Sequence, residues 1–511
     1  MSARFVLLFL LAVSLLLGGC QAGGPADGDG DGAMPELDNA VLMPVDGDAT
    51  ISFTVYFKVG SQNDPQGKEG LAALTGSIIS QGATTENAYA DILDKLYPIA
   101  SGYGVNVDKE MTTLTGRTHR DNLDAFFEIF TDAFLKPAFD PADFERLKAV
   151  QKSGIETSLR FSNDEELGKA ALTSFVFGGT PYEHPIEGTV SGIDAITLDD
   201  VKAFYTAHYN RANAVIGLGG GFDADLATRF HATLGSLPEG QAVAPAAVEA
   251  PTIEGRRVLL VDKPGADASI SFGLPVGVAR GERDFYALWI ANSWLGEHRN
   301  TAAHLFQVIR EIRGLNYGDY SYIEAFPAGG SRQMPPTNVA RRHQLFEGWI
   351  RTLPNEQSIF ALRAALREID DLIEGGMSEE EFQLTRSFLE TYHLHFAPTT
   401  ADRLGYRVDD VFYGVPDPGH LARFGDMMKS ITREDVNAAL KKYLQTGDLK
   451  IAIVTGDAEG LKTTLESGAP TPITYASPKS DEVLAEDKLI AAYPLNIANI
   501  ETVSVQDIFG Q

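Results

Sequence analysis

The chain has 511 residues, 44% of them hydrophobic, with 42 Lys and Arg against 70 Asp and Glu for a net charge of −28. That length exceeds what one compact core needs, and the composition excludes a disordered chain, so two or more folded domains are expected. The acidic balance argues against nucleic-acid binding through a basic patch and fits a solvated acidic surface.

In chain order, Arg4 precedes an apolar run from Phe5 to Leu17. Thirteen residues are short for a membrane span and right for the apolar region of a signal peptide, here spanning 1–20. Leu17-Gly18-Gly19-Cys20 resembles the bacterial lipobox, so cleavage before Cys20 and lipidation of Cys20 are expected. A lipid anchor places the chain in the cell envelope. Gln21 lacks resemblance to inner-membrane retention signals, which favours the periplasmic side of the outer membrane. Cys20 is the only cysteine, leaving no disulfide framework and no Cys-based zinc site or nucleophile in the mature domains. Residues 21–45, rich in Gly, Asp and Pro, read as a flexible tether. Within them "DGDGDG" (27–32) opens like an EF-hand loop, but Asp38 stands where that loop keeps Glu and no helices flank it, so calcium is not expected. No second apolar segment of membrane length follows, so the rest reads as soluble.

Ile51, Phe53, Val55, Phe57 and Val59 alternate with Ser52, Thr54, Tyr56 and Lys58, the pattern of a half-buried antiparallel strand. "GLAALTGSIISQGAT" (70–84) reads as a helix with Leu71, Leu74 and Ile78 facing a core. Its neighbouring stripe holds only Ala73, Gly76 and Ser77, and a mid-helix Gly costs about 1 kcal/mol against Ala. "TTLTGRT" (112–118) reads as another strand, and helical patterns cover 120–136, 300–313 and 359–375. "AITLDDVKAFYTAHY" (195–209) recurs as "SITREDVNAALKKYL" (430–444), with Thr197 and Thr432 as N-caps. Apolar strands follow both copies, "NAVIGLGG" (212–219) and "LKIAIVTG" (449–456). Acidic helix starts precede them at 140–150 and 377–387, so the halves repeat at an offset of 235 to 238 residues. The pattern predicts an α+β fold of two homologous domains, 46–245 and 257–465, each an antiparallel sheet with helices on one face. An Ala- and Pro-rich stretch supplies the linker, 246–256, and 466–511 forms a tail that packs back.

The first half contains "VYFKVGSQNDPQGKEGLA" (55–72), "QGAT" (81–84) and "GTPYEHPIEGTVSGIDAITLDDVKAFYTAHYNRANAVIGLGG" (179–220), and the second "WLGEHRNTAAHLFQVIREIRGLNYGDYS" (294–321). On these residues the chain resembles the insulinase/pitrilysin-type zinc peptidases, which include the mitochondrial processing peptidase. The resemblance covers nearly all of 50–465 and implies half of a clamshell built from the two domains. Active members carry H-x-x-E-H on the helix after "GLA": two His on one face bind zinc, and the Glu is the general base. Here Ala73 and Ser77 stand at the His positions and Gly76 at the Glu. The third ligand, a Glu on a later helix, is matched by Gly154; Glu156 is two residues away and turned about 200° around a helix. None of the ten His rebuilds a metal spacing: Glu297-His298 and His304 lie in the second half, and His393 and His395 are i and i+2 on a helix. "GLGGG" (217–221) is explained by a tight turn, and no G-x-S-x-G elbow is evident.

The family's Arg and Tyr, seven apart, which contact the bound peptide, are matched by Arg310 and Tyr317 in "REIRGLNY". Gly314 as a left-handed C-cap lets the chain turn so that Tyr317 points back near Arg310. The Arg then suits a carbonyl or carboxylate and the Tyr hydroxyl an oxyanion. The resemblance thus implies a lipid-anchored, zinc-free subunit that pairs with a zinc-bearing homologue to degrade peptides. The metal sits in the partner, and the membrane is reached through the anchor. Two other classes stay open: a stand-alone peptide-binding or scaffold lipoprotein of the envelope, and a hydrolase with an unrecognised site.

Overall fold

The computed structural model describes residues 34–244 and 248–510, so Cys20, the signal peptide, "DGDGDG" and most of the expected tether lie outside the described residues. Strands β1 (Ala40–Pro44), β2 (Thr50–Phe57), β3 (Gly102–Val107), β4 (Thr112–His119) and β5 (Ala214–Gly220) form one sheet in the order β1-β5-β2-β4-β3. A second sheet has the order β11-β6-β10-β7-β9-β8. Its strands are β6 (Arg256–Asp262), β7 (Ala268–Val276), β8 (Asp319–Tyr322), β9 (Gln344–Leu353), β10 (Lys450–Thr455) and β11 (Ile497–Ser504). Each sheet is antiparallel through its centre and parallel at one edge: β1 runs parallel to β5, and β10 and β11 run parallel to β6. Residues 40–44 therefore belong to the first sheet and not to a tether, because their backbone groups find partners on β5.

The odd residues of β2 point into a core formed with the helices Leu71–Gln81, Leu123–Leu135, Leu198–His208 and Ala224–Thr233. Phe53 is its hub, with ring centroids of Phe126, Phe130 and Phe230 at 5.6, 5.5 and 5.3 Å. Such aromatic pairs contribute about 0.5–1.5 kcal/mol each beyond area burial. The second sheet is covered in the same way by Arg283–Gly296, Asn355–Gly375, Glu379–Tyr392 and Arg433–Tyr443.

The far face of each sheet is covered by the other half. Alternation predicts that Ser52, Thr54 and Tyr56 meet solvent, yet all three are buried. The helix Thr400–Tyr413, from the second half, lies across β2 and β5, with Leu404 and Val408 packed against Tyr56 and Val215. Gly217 and Gly219 permit this approach: a Cβ at Gly217 would stand 3.2 Å from Leu404 Cδ1, and one at Gly219 3.1 Å from Thr400 Cγ2. Reciprocally, the helix Asp164–Val176 of the first half covers β7 and β10, packing Leu172 with Ala452 and Val454. The tail adds β11 to the second sheet, and its helix Asp481–Ala492 presents Asp487 and Glu486 to Arg313 at 2.9 and 2.7 Å.

Candidate functional site

The helix Leu71–Gln81 begins at Gly70, whose φ of +108° is left-handed and suits glycine. Asp64 caps it, accepting the N–H groups of Gly70 and Ala72 at 2.7 Å each. This helix packs against Pro141–Ser153, the arrangement that brings the first two ligand positions of a zinc peptidase towards the third. The side chains do not complete it. Ala73 and Ser77 are half-buried and Gly76 is buried beneath the edge strand β3. A Cβ at Gly76 would lie 2.7 Å from Val107 Cγ2 and 2.9 Å from Val105 Cγ1. A carboxylate at this position would need the Val105 and Val107 side chains to give way. Gly154 follows the end of Pro141–Ser153, with nothing within 4 Å of a Cβ built there, and Glu156 is exposed. An aliphatic, a glycine, a hydroxyl and a second glycine do not suit zinc. Among the described residues no group of three or more His, Cys, Asp or Glu offers another metal site.

A buried polar cluster beside Asp64 has no counterpart in the sequence reading. Lys109 donates from Nζ to the His184 carbonyl, and His184 Nε2 lies 3.8 Å from Asp64 Oδ2. Burial pushes Asp64 up to about 7, against the two backbone N–H groups and Lys109. Burial, and then the nearby Arg341, brings Lys109 down to about 7. Burial and Lys109 bring His184 down to about 4, keeping it neutral. Next along the chain, Asp108 accepts two hydrogen bonds from Arg341 at 2.5 and 2.9 Å, and Glu110 takes Arg342 and the Tyr182 hydroxyl. These pairs fasten the loop after β3 to the second half. The sequence signal for them is faint: "YEHP" sits within the matched motif, but pairing with positions over 200 residues away carries no local periodicity.

Gly314 has φ +73° and donates to the Arg310 carbonyl at 2.7 Å, closing the helical turn Phe306–Glu311 in the left-handed C-cap geometry. The Arg310 guanidinium carbon lies 4.9 Å from the Phe306 ring centroid and the group pairs with Glu311. Tyr317 is 77% exposed. No hydrogen bond or ring contact joins Arg310 to Tyr317 in the described structure; both stand at the approach to the edge strand β8, where buried Asp319 feels the Arg310 charge. Two His residues of the second half, His304 and His298, are satisfied locally. His304 Nε2 meets Glu368 at 2.6 Å and stacks on Trp294, and His298 sits between the Tyr322 hydroxyl at 2.7 Å and the Arg332 carbonyl at 2.8 Å.

Two sheet-and-helix halves, with the first helix packed as in an inverted-motif zinc peptidase but bare of its ligands, define a peptidase scaffold without that metal chemistry. Residues 40–190 match the family described as Insulinase (Peptidase family M16), and residues 195–389 match Peptidase M16 inactive domain. The chain belongs to peptidase family M16. An uncharacterized zinc protease of Streptomyces coelicolor is 24% identical over 340 residues, covering 65% of this chain and 69% of that protein. Non-peptidase homolog YmxG of Helicobacter pylori is 22% identical over 402 residues, 78% of this chain and 87% of the relative. Among solved structures, a peptidase M16 inactive domain from Pseudomonas fluorescens superposes with a TM-score of 0.72 at 22% identity, covering 83% of this chain and 97% of that one. A Helicobacter pylori protease gives 0.70 at 17%, covering 83% and 99%. At these identities the two structures speak for the fold.

Proposed function

We propose that this chain is a zinc-free pseudo-peptidase subunit that holds peptide beside a zinc-bearing homologue. The observation that carries this reading is Gly76. The base position of the zinc motif is not only the wrong residue; it is packed over by Val105 and Val107. The chain's similarity to both a non-peptidase homologue and Zinc protease PqqE of Helicobacter pylori, the latter 26% identical over 262 residues (49% of this chain, 57% of that protein), supports a division of labour between relatives.

Peptide would add as a strand at the unpaired, partly exposed sheet edge β3, through backbone hydrogen bonds. Arg310 would exchange its exposed partner Glu311 for a peptide carbonyl or carboxylate, since a surface ion pair holds only about 0–1 kcal/mol. The exposed Tyr317 hydroxyl would donate to the same peptide. From the N-terminal leader we infer a subunit of the cell envelope, anchored through lipid on Cys20 at the periplasmic side of the outer membrane; labelled palmitate entering the chain and failing to enter Cys20→Ser tests that part.

The test of pairing is reconstitution. The purified chain alone cleaves no peptide, a zinc-bearing homologue from the same cell co-purifies with it, and adding the two together yields cleavage. Full activity of the zinc-bearing homologue without this chain overturns the pairing.

A further inference from the structure

Beside β8 lies a cavity of about 40 Å³. Trp289, Tyr322, Phe326 and Tyr392 supply aromatic walls, and Asn292 and Glu297 supply polar groups. Glu297 is 8% exposed. One of its oxygens accepts from Ser293 Oγ at 2.5 Å. Burial raises its carboxyl to about 7, with hydrogen bonds from Ser293 and Trp289 opposing and no cationic side chain contributing. The adjacent ring does not provide the missing charge. His298 Nε2 faces the Arg332 carbonyl and therefore carries the hydrogen, so Nδ1 accepts from the Tyr322 hydroxyl and the imidazole is neutral. The other carboxylate at the cavity, Glu324, is already held by Arg280 through two hydrogen bonds of 2.8 and 2.9 Å. Glu297 is thus a buried carboxylate in an aromatic cavity without a counter-cation, an arrangement that a protein rarely keeps unpaired.

The far side of Tyr322 shows what such surroundings accept. Lys169 Nζ sits 4.3 Å from the Tyr322 ring centroid, 4.6 Å from that of Trp349 and 3.7 Å from the Glu347 carboxylate. An ammonium between aromatic faces and a carboxylate is already built into this part of the fold. The Glu297 cavity has the same ingredients without the ammonium. Its volume exceeds what one water molecule needs and admits an ammonium group. Ser321 and Tyr322 of β8 also line it, and the exposed Gln333 with half-buried Pro335 and Tyr392 leave it open to an incoming side chain.

We propose that this cavity receives the side-chain ammonium of a lysine in the bound peptide, with Glu297 as its counter-charge and the Trp289, Phe326 and Tyr392 rings as its walls. The assignment rests on the peptide-binding reading, and the experiment separates the two. Calorimetric titration of the full chain uses a blocked peptide with one lysine, the same peptide with Nε-acetyl-lysine, a lysine-free peptide with a free N-terminus, and n-butylammonium chloride. The lysine peptide binds at least tenfold more tightly than the acetyl-lysine and lysine-free peptides, and Glu297→Gln abolishes that preference. Tyr392→Leu, which keeps the carboxylate, lowers the preference at least threefold and replaces Glu297→Gln should that variant not fold. Equal binding of the lysine and acetyl-lysine peptides, or a preference unchanged in Glu297→Gln, overturns the proposal. A lysine-free peptide held as tightly through its free N-terminus overturns the choice of lysine. If no peptide binds, Glu297-dependent binding of n-butylammonium keeps the ammonium site and removes only the peptide reading; absence of both removes the site.

Discussion

Val107 stands over Gly76: a Cβ added to the glycine would approach Val107 Cγ2 to 2.7 Å, and Val105 Cγ1 to 2.9 Å. Two valines of the edge strand β3 fill the space that a side chain at the general-base position would take. Gly76→Ala gains about 1 kcal/mol of helix propensity and loses about 1–3 kcal/mol to overpacking, so it destabilises the chain by about 1 kcal/mol. Val107→Ala in the Gly76→Ala background recovers most of that loss. Urea denaturation of the two single variants and the double variant measures the coupling.

Arg341 and Asp108 form the buried joint between the halves, with Arg341 donating to both Asp108 oxygens. Arg341→Ala leaves the buried Asp108 without its cation and costs about 3–5 kcal/mol. The Arg341→Ala/Asp108→Ala double variant is less destabilised than the sum of the singles, and chemical denaturation reads the difference.

Glu297 makes stability depend on pH. Its folded value, about 7, lies above its ordinary value of 4.5, so the folded chain holds this proton more tightly than the unfolded chain. The stabilisation is full below about 4.5 and is lost as pH rises through about 7. Ser293 and Trp289 donate to the group, while His298, Glu324 and Tyr392 share its cavity. Glu297→Gln, lacking this ionisation, gains on the unsubstituted chain by on the order of 3 kcal/mol between pH 4.5 and pH 8. Thermal unfolding of both chains at the two pH values checks the sign.

Arg310 and Tyr317 separate binding from stability. Both lie near the surface and neither holds the core, so Arg310→Ala and Tyr317→Phe change stability by no more than about 0.5 kcal/mol. In the reconstituted pair each lowers kcat about 10–100-fold, by removing a donor to the peptide. Paired thermal melts and cleavage rates distinguish this from a folding defect.

The repeated capping motifs at Thr197 and Thr432, the alternation of β2 and the bare stripe of Ala73, Gly76 and Ser77 made the two halves and the absent ligands legible from residues alone. Local patterns report what a segment does to its own backbone and to one buried face. They do not report which distant segment covers the second face. The burial of Ser52, Thr54 and Tyr56 depends on a helix some 350 residues later, and the Asp64, Lys109 and His184 cluster forms only when three separate loops meet. Glu297 and His298 were visible as neighbours; their aromatic surroundings come from β8 and from Tyr392, which carry no shared spacing.

The zinc content of the purified full-length chain, measured by mass spectrometry after dialysis against a mild chelator, tests the central claim most directly. The side chains at 73, 76, 77 and 154 predict well under 0.1 zinc per chain, before and after incubation with zinc. One retained zinc per chain would contradict the account.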